Sequence, residues 1–159
     1  MDPLLKKLNH QAEFPILLLN GPADLQKLFQ AWQADAPVER EVTTGKTYPF
    51  VLVFAEHSNA LEEGLYQVKG RLGEDAILWI AYPKKSSKKY QSDIHRDSGH
   101  WDELGVWGYE GVRQVAIDAD WSALRFRQVD HIKRMKRSTL RALSEKGKSR
   151  TETKEGGSE

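Results

Sequence analysis

The sequence predicts an α/β protein with one open, three-layer and mostly parallel sheet that ends in an antiparallel hairpin. Three apolar runs without alternation are typical of strands buried on both faces. They lie within Pro15–Asn20, Phe50–Ala55 and Ala76–Tyr82. Amphipathic stretches separate these runs, which favours parallel pairing through βαβ units. We therefore expect the three strands to be parallel and central.

The chain of 159 residues has the length of one domain. It has no cysteine, which excludes a disulfide scaffold, a cysteine-ligated zinc or iron–sulfur site and a cysteine nucleophile. Its aliphatic runs are far shorter than the roughly 18 residues of a membrane-spanning helix. No signal peptide opens the chain, so a soluble cytoplasmic protein is the expectation.

Charge is distributed unevenly along the chain. Residues 131–159 hold nine of the 24 basic residues but only four of the 23 acidic ones, which favours contact with an anionic partner. We divide the chain into a polar N-terminal segment (1–13), a Rossmann-like α/β domain (14–130), a basic amphipathic helix (131–145) and a disordered tail (146–159). The tail's polar composition cannot offset the entropy of ordering.

The first half of the chain contains one long strand and one short strand. A turn of helix at Leu4, Leu5 and Leu8 precedes the Pro15–Asn20 strand. Pro22 then suits the first turn of a helix, whose apolar stripe is Leu25, Leu28, Phe29 and Trp32. The link Thr43–Pro49, after an alternating strand at Val38–Val42, is too short for a helical crossover. Either a crossover helix is missing or the Val38 strand is a short irregular edge.

The second half contains the other two buried strands and the hairpin. Ser58 is predicted to cap a helix with an apolar side of Ala60, Leu61, Leu65, Val68 and Leu72. Gly73–Asp75 is predicted to turn into the Ala76–Tyr82 strand. The next elements are a lysine-rich loop (Pro83–Asp97) and a short helix around Trp101 and Leu104. The last two strands, Val112–Asp118 and Trp121–Gln128, are predicted to form a hairpin with a tight turn at Ala119-Asp120.

This order of elements resembles the class I S-adenosylmethionine-dependent methyltransferase fold, whose last strand is antiparallel, with the third strand and its helix missing. The stretches Trp79-Ile-Ala-Tyr-Pro-Lys-Lys-Ser-Ser and Ala119-Asp-Trp-Ser-Ala-Leu-Arg-Phe resemble more closely a bacterial family known as a domain of unknown function. That family is methyltransferase-like in outline. The similarity covers roughly residues 14–128, and it implies a fold rather than an activity.

The residues depart from the methyltransferase pattern on the cofactor side. That fold has an acidic residue and several glycines after its first strand, whereas Asn20-Gly21-Pro22 offers one glycine and a proline without a donor. Glu41 is the nearest match to the acidic residue that holds the ribose. Glu56-His57-Ser58-Asn59 stands where amino-methylating members carry an Asp/Asn-Pro-Pro-aromatic box. S-Adenosylmethionine is therefore disfavoured as a cofactor, and we expect weak or absent binding.

The candidate ligand site lies at the carboxyl edge of the sheet, where open α/β sheets bind ligands. Four lysines between Lys84 and Lys89 favour recognition of phosphate or carboxylate. The alternative is a solvated loop without a ligand, which ion pairs among Asp93, Arg96 and Asp97 would order. Asn20-Gly21 before a helix offers N–H groups to an anion, or else is an ordinary turn. The candidate ligand-binding residues are Asn20, Gly21, Glu56, His57, Lys84, Lys85, Asp93 and Arg96.

No residue is assigned a catalytic or metal-binding role. His57, His95 and His100 have no metal-ligand spacing. Ser122 lacks the G-x-S-x-G elbow of a hydrolase nucleophile.

The leading functional hypothesis is a Rossmann-like protein that binds a small anionic ligand at the carboxyl edge without catalysis. Within the lysine-rich loop, Lys84 and Arg96 are expected to face the cleft, with Lys88 and Lys89 in solvent. One alternative is a divergent S-adenosylmethionine-dependent methyltransferase. A second is a nucleic-acid-associated protein that uses Lys84–Lys89 and residues 133–141.

Overall fold

One mixed sheet organises the residues that this computed structural model describes, 1–95 and 99–132. Its six strands are β1 (Ile16–Leu19), β2 (Val38–Glu39), β3 (Tyr48–Phe54), β4 (Leu72–Pro83), β5 (Tyr109–Ala116) and β6 (Trp121–Gln128). Their order across the sheet is β2-β1-β3-β4-β6-β5. The α-helices in the described residues are α1 (Pro3–Lys7), α2 (Gln26–Trp32), α3 (Ser58–Val68) and α4 (Asp102–Val106). None of the described helices is long and apolar enough to cross a membrane.

The three strands predicted to be central lie inside the sheet. β1 pairs in parallel with β2 and β3, and β3 pairs in parallel with β4. All four side chains of β1 are buried, which explains the run of leucines without alternation. On its other side β4 pairs with β6, which is antiparallel and lies between β4 and β5. The predicted α/β class and the C-terminal hairpin are confirmed.

Helices cover both faces of the sheet. On what we call the first face, α1 and α2 pack against the sheet through Leu5, Phe29 and Trp32. On the second face, α3 and α4 do so through Leu65 and Leu104. β1 leads into α2 on the first face and β3 leads into α3 on the second, so the chain leaves these neighbouring strands in opposite directions.

The N-terminal segment is part of the packed domain. The Asp2 side chain accepts hydrogen bonds from the N–H groups of Leu4 and Leu5 and caps α1. Leu5 and Leu8 are fully buried in the first-face core. The indole Nε1 of Trp79, in β4, donates to the Leu8 carbonyl over 2.8 Å. Residues predicted as a polar appendage therefore close one end of the sheet.

The short link after β2 contains no helix. β2 has two residues and forms one edge of the sheet. This agrees with the interpretation of the Val38 strand as a short irregular edge. Side chains brace the link: Lys46 Nζ lies 2.5 Å from Glu39 Oε2, and the Thr43 N–H donates to the Tyr48 hydroxyl. In the described part of the chain, no strand lies beyond β2.

Two local predictions were wrong. Ser58 is the first residue of α3 rather than its cap, because Asp93, from a distant loop, accepts its N–H. Leu72 does not extend the apolar side of α3 but begins β4, because the chain turns after Val68. Gly73–Asp75 forms an irregularity within β4, where Asp75 has a left-handed φ of 49°. Three predicted features lie outside the described residues. They are Arg96 and Asp97 within residues 96–98, the part of the 131–145 helix beyond Ile132, and the 146–159 tail.

Asp75 and Arg127 form a bidentate ion pair between the irregular start of β4 and the end of β6. Arg127 Nε and Nη2 donate to the two carboxylate oxygens over 2.9 and 2.8 Å. The hydrogen bonds from Arg127 are the largest cause that lowers the pKa of the Asp75 carboxyl, and they prevail over burial, which raises it.

The Asp75→Asn variant should show a smaller acid dependence of stability than the wild type. A carboxyl whose folded-state pKa is lowered stabilises the fold fully above its ordinary pKa of 3.8 and loses that contribution as pH falls below it. Urea unfolding at pH 7 should show a loss of about 1 kcal/mol in the variant. Between pH 5 and pH 2.5, the variant should then lose less stability than the wild type. Glu62→Gln, at an exposed position of α3, is the control, and equal acid dependence in all three proteins would contradict the prediction.

Candidate functional site

The topology places a crevice between the carboxyl ends of β1 and β3. The chain leaves these two adjacent strands toward opposite faces, and such a switch point is where open α/β sheets bind ligands. Asn20 follows β1 in the left-handed region, at a φ of 59°. Gly21 lies under the Phe29 ring, and a Cβ built there would be 2.6 Å from the Phe29 Cε2 atom. The first loop is therefore packed against its own helix.

A loop crosses this crevice from one face to the other. We call residues 84–95 the edge loop. On the first face, Lys89 forms an ion pair with Asp24 in the turn after β1. On the second face, the Asp93 carboxylate accepts the N–H of Ser58 over 2.8 Å and its hydroxyl over 2.5 Å. The edge loop thus ties the β1–α2 connection to the start of α3.

The contact between Asp93 and α3 is electrostatically favourable. The hydroxyl of Ser58, and secondly its backbone N–H, hold the pKa of the Asp93 carboxyl below its ordinary value. A carboxylate at the first turn of a helix also interacts favourably with the helix dipole. Asp93 therefore acts here as a structural anchor of the loop.

A row of aromatic rings lies on the first face near the carboxyl edge of the sheet. Phe54 at the end of β3 lies between Phe29 and Trp121, with ring centroids 5.7 and 5.1 Å apart and edge-to-face geometry. Tyr90 of the edge loop continues the row, with its centroid 5.0 Å from that of Trp121. We call Phe29, Phe54, Trp121 and Tyr90 the aromatic row. It connects α2, β3 and β6 with the edge loop on this face.

An open cavity remains on the second face, next to the crevice. Its volume is about 580 Å³, within the usual range of small-molecule pockets. We call it the β4 pocket, and it is lined by Tyr82, Pro83, Lys84, Lys85, Ser86, Ile94, His95, Gln114, Ala116 and Ser122. It therefore joins the end of β4 and both ends of the edge loop to the β5–β6 hairpin.

A polar network forms one wall of the β4 pocket. The Gln114 side-chain amide donates to the Ser122 hydroxyl over 2.8 Å and to the Tyr82 hydroxyl over 3.3 Å. Ser122 and Tyr82 are buried, and an amide bonded to two hydroxyls has a fixed orientation. The network therefore makes this wall of the β4 pocket polar.

Lys84 is positioned by the sheet, as the end of a buried strand requires. Its N–H donates to the Asp120 carbonyl over 2.8 Å, and the Ser87 hydroxyl donates to the Asp120 carboxylate over 2.8 Å. These bonds fix the start of the edge loop against the hairpin turn. Lys84 is half-buried and Lys85 is exposed, and both residues line the cavity.

The residues predicted from the sequence do not all meet. Lys84 and Lys85 line the β4 pocket, whereas Asp93 anchors the edge loop on α3. Asn20 and Gly21 lie at the crevice. Glu56 and His57 also follow β3 there, 3.5 Å apart and half-exposed. The described residues contain no group of three or more His, Asp or Glu side chains that could hold a metal ion.

Sequence reasoning missed the polar wall of the pocket. Gln114 and Ser122 come from the two hairpin strands, and their proximity depends on the register that pairs Ala116 with Ser122. No local pattern marks either residue: Gln114 lies in a polar stretch of β5, and Ser122 is a single polar residue among buried apolar neighbours in β6.

Comparisons with known proteins give a likeness of fold. No protein-family profile and no curated protein match the sequence. Among solved structures, the chain is similar to the N-methyltransferase NodS from Bradyrhizobium japonicum, in complex with S-adenosyl-L-homocysteine, at 11% identity and a TM-score of 0.48; the match covers 79% of this chain and 83% of that one. A NADB-Rossmann superfamily protein from Streptococcus agalactiae matches at 7% identity and a TM-score of 0.46, over 80% and 68% of the two chains.

A tRNA methyltransferase, TrmK of B. subtilis, is also similar. It has 11% identity and a TM-score of 0.46, over 84% of this chain and 71% of that one. The resemblance to a bacterial domain of unknown function stays a prediction.

Proposed function

We propose that this protein binds a small anionic molecule in the β4 pocket. The observation that supports this most directly is the pairing of a fixed polar wall with two lysines at the rim of one cavity. Lysine ammonium groups attract carboxylate or phosphate.

The lining also suggests the shape of the ligand. Pro83, Ile94 and Ala116 contribute apolar surface, and such surface favours a ligand with a compact apolar body. An anionic group would face Lys84 and Lys85, where solvent enters. We thus infer a ligand with an apolar body of drug-like size and a carboxylate or phosphate at one end.

The proposal is for binding rather than turnover. The Ser122 hydroxyl is engaged by Gln114, and a neutral amide does not act as the general base that activates a serine nucleophile. The candidate role of the site is therefore recognition, and any effect on other molecules would follow from the bound state.

The Lys84→Ala variant should weaken binding of the anionic ligand by one to two orders of magnitude. The Lys84 backbone is held by the sheet, and a charge-assisted hydrogen bond from its ammonium group would contribute about 1.5–3 kcal/mol. Ligands are first found by thermal shift with a panel of carboxylates, nucleotides, S-adenosylmethionine and short oligonucleotides, since a ligand of the native state raises Tm. Calorimetric titration of the best ligand then measures the variants.

Lys88→Ala is the matched control, because Lys88 lies on the same loop and is exposed. It should change the affinity little beyond a salt-screened difference. Equal losses for Lys84→Ala, Lys88→Ala and Lys89→Ala would contradict a built site and favour the nucleic-acid alternative. Unchanged affinity in Lys84→Ala would overturn the proposal.

A divergent methyltransferase is the second candidate. It is favoured by the strand order of this chain, in which the antiparallel β6 lies between β4 and β5. Against it stands the single glycine after β1. We expect S-adenosylmethionine to give no thermal shift. Micromolar affinity in calorimetry would instead favour this candidate and make Asn20, Glu41 and Glu56 the residues to mutate.

A further inference from the structure

Two arginines lie opposite each other on the β5–β6 hairpin, away from the β4 pocket. Arg113 and Arg125 are paired in the antiparallel register, which puts their side chains on the same side of the sheet. That side is the first face, because the next pair along the hairpin, Val115 and Ala123, belongs to the first-face core. The β4 pocket opens on the second face.

The charges of this arginine pair are not compensated by ion pairs within the described residues. Asp75, the nearest carboxylate, is engaged in both oxygens by Arg127. Glu110 is buried and lies opposite Arg127 in the register, not opposite Arg125. The Nε of Arg125 is buried and has no hydrogen-bond partner. Arg113 is exposed.

This arrangement is unfavourable in the absence of an anion. Like charges directly opposite in a strand pair destabilise it, and a buried donor without an acceptor costs free energy. Burial lowers the pKa of the Arg125 guanidinium, and the charges of Arg127 and Arg113 lower it further, whereas Asp75 raises it. An anion between Arg113 and Arg125 would offset both penalties.

We infer that Arg113 and Arg125 bind a phosphate group on the first face of the hairpin. Guanidinium groups present planar forks that match phosphate oxygens bidentately. A phosphate monoester carries a charge of about −1.5 to −2 at pH 7. This charge nearly balances the two positive charges of the arginine pair, whereas a carboxylate would balance only one of them. The phosphate belongs to a free phosphorylated small molecule or to a nucleic acid.

The test is calorimetric titration of the full chain at low ionic strength with three probes: inorganic phosphate, a 5′-mononucleotide and a short single-stranded oligonucleotide. Arg113→Gln and Arg125→Gln should each weaken binding about tenfold or more. Arg40→Gln, an arginine that follows β2 at the opposite edge of the sheet and lies over the Phe29 ring, should bind as the wild type does. Lys84→Ala should also leave this binding unchanged, which separates the site from the β4 pocket.

The unliganded variants give a second readout. In phosphate-free buffer Arg125→Gln should have a Tm equal to or above that of the wild type, because the half-buried guanidinium, whose Nε has no hydrogen-bond partner, no longer lies opposite Arg113. Tighter binding of the oligonucleotide, lost in the same two variants, would identify nucleic acid as the source of the phosphate. A preference for the small probes would identify a free metabolite. No binding of any probe, or equal binding by wild type, Arg113→Gln and Arg125→Gln, would overturn the inference.

Discussion

Replacement of Trp79 by alanine should lower the free energy of unfolding by about 3–5 kcal/mol, the usual cost of a large buried aromatic residue. Trp79 is fully buried in β4 and packs in the first-face core. Its indole also donates to the Leu8 carbonyl, so the variant loosens the N-terminal segment in addition to leaving a cavity. Urea denaturation at pH 7 measures the change.

Two further variants separate these contributions. Trp79→Phe keeps most of the ring and removes the donor, so it should cost less than Trp79→Ala while still leaving the Leu8 carbonyl without its partner. Tyr66→Ala is the control, because that aromatic side chain is 81% exposed and should cost no more than about 0.5 kcal/mol. A loss below about 1 kcal/mol for Trp79→Ala would show that the N-terminal segment does not close the sheet.

Replacement of Phe54 by alanine should have a comparable effect on stability, about 3–5 kcal/mol. Phe54 is 1% exposed and is the centre of the aromatic row. Its two edge-to-face contacts are each worth about 0.5–1.5 kcal/mol beyond the buried area. Phe54→Leu retains apolar volume and should lose less than half as much.

The same variant distinguishes the two faces of the carboxyl edge. Phe54 lies on the first face, whereas the β4 pocket lies on the second. At a temperature where the variant is folded, its ligand affinity at the β4 pocket should therefore stay within a factor of about three of the wild-type value. This is well below a tenfold change in affinity, which corresponds to about 1.4 kcal/mol. A parallel loss of stability and affinity would mean that the aromatic row supports the pocket as well as the crevice.

The central strands were predictable because burial on both faces leaves a direct mark in the sequence. Four apolar residues in succession at Ile16–Leu19 cannot belong to a strand with one wet face. The cap of α3 was not predictable. Ser58 is a good capping residue by type, but a carboxylate 35 positions away supplies the acceptor. Such a contact depends on the path of the edge loop, and no local pattern encodes that path.

For the site, the sequence located the edge but not the pocket. The rule that ligands bind beyond the strand ends brought Asn20, Glu56 and Lys84 together as one candidate set. In the structure, the β4 pocket is lined by Lys84 but by neither Asn20 nor Glu56. Lys84 was predictable because a buried strand fixes the residue that follows it. Gln114 was not, since its role depends on the hairpin register.

The interior position of β6 has a consequence for the synthesis of the chain. β4 pairs with β3 on one side and with β6 on the other. Of the six strands, β6 is the last to be translated. Until Gln128 has left the ribosome, β4 therefore exposes an apolar edge with open N–H and C=O groups, a template for pairing with other nascent chains. Pairing between β4 and β6 also has to wait for a long loop to close, which slows folding. Ribosomes that stall before Trp121 should accordingly release chains that aggregate, and chaperones that cover strand edges should act on this protein mainly in that interval.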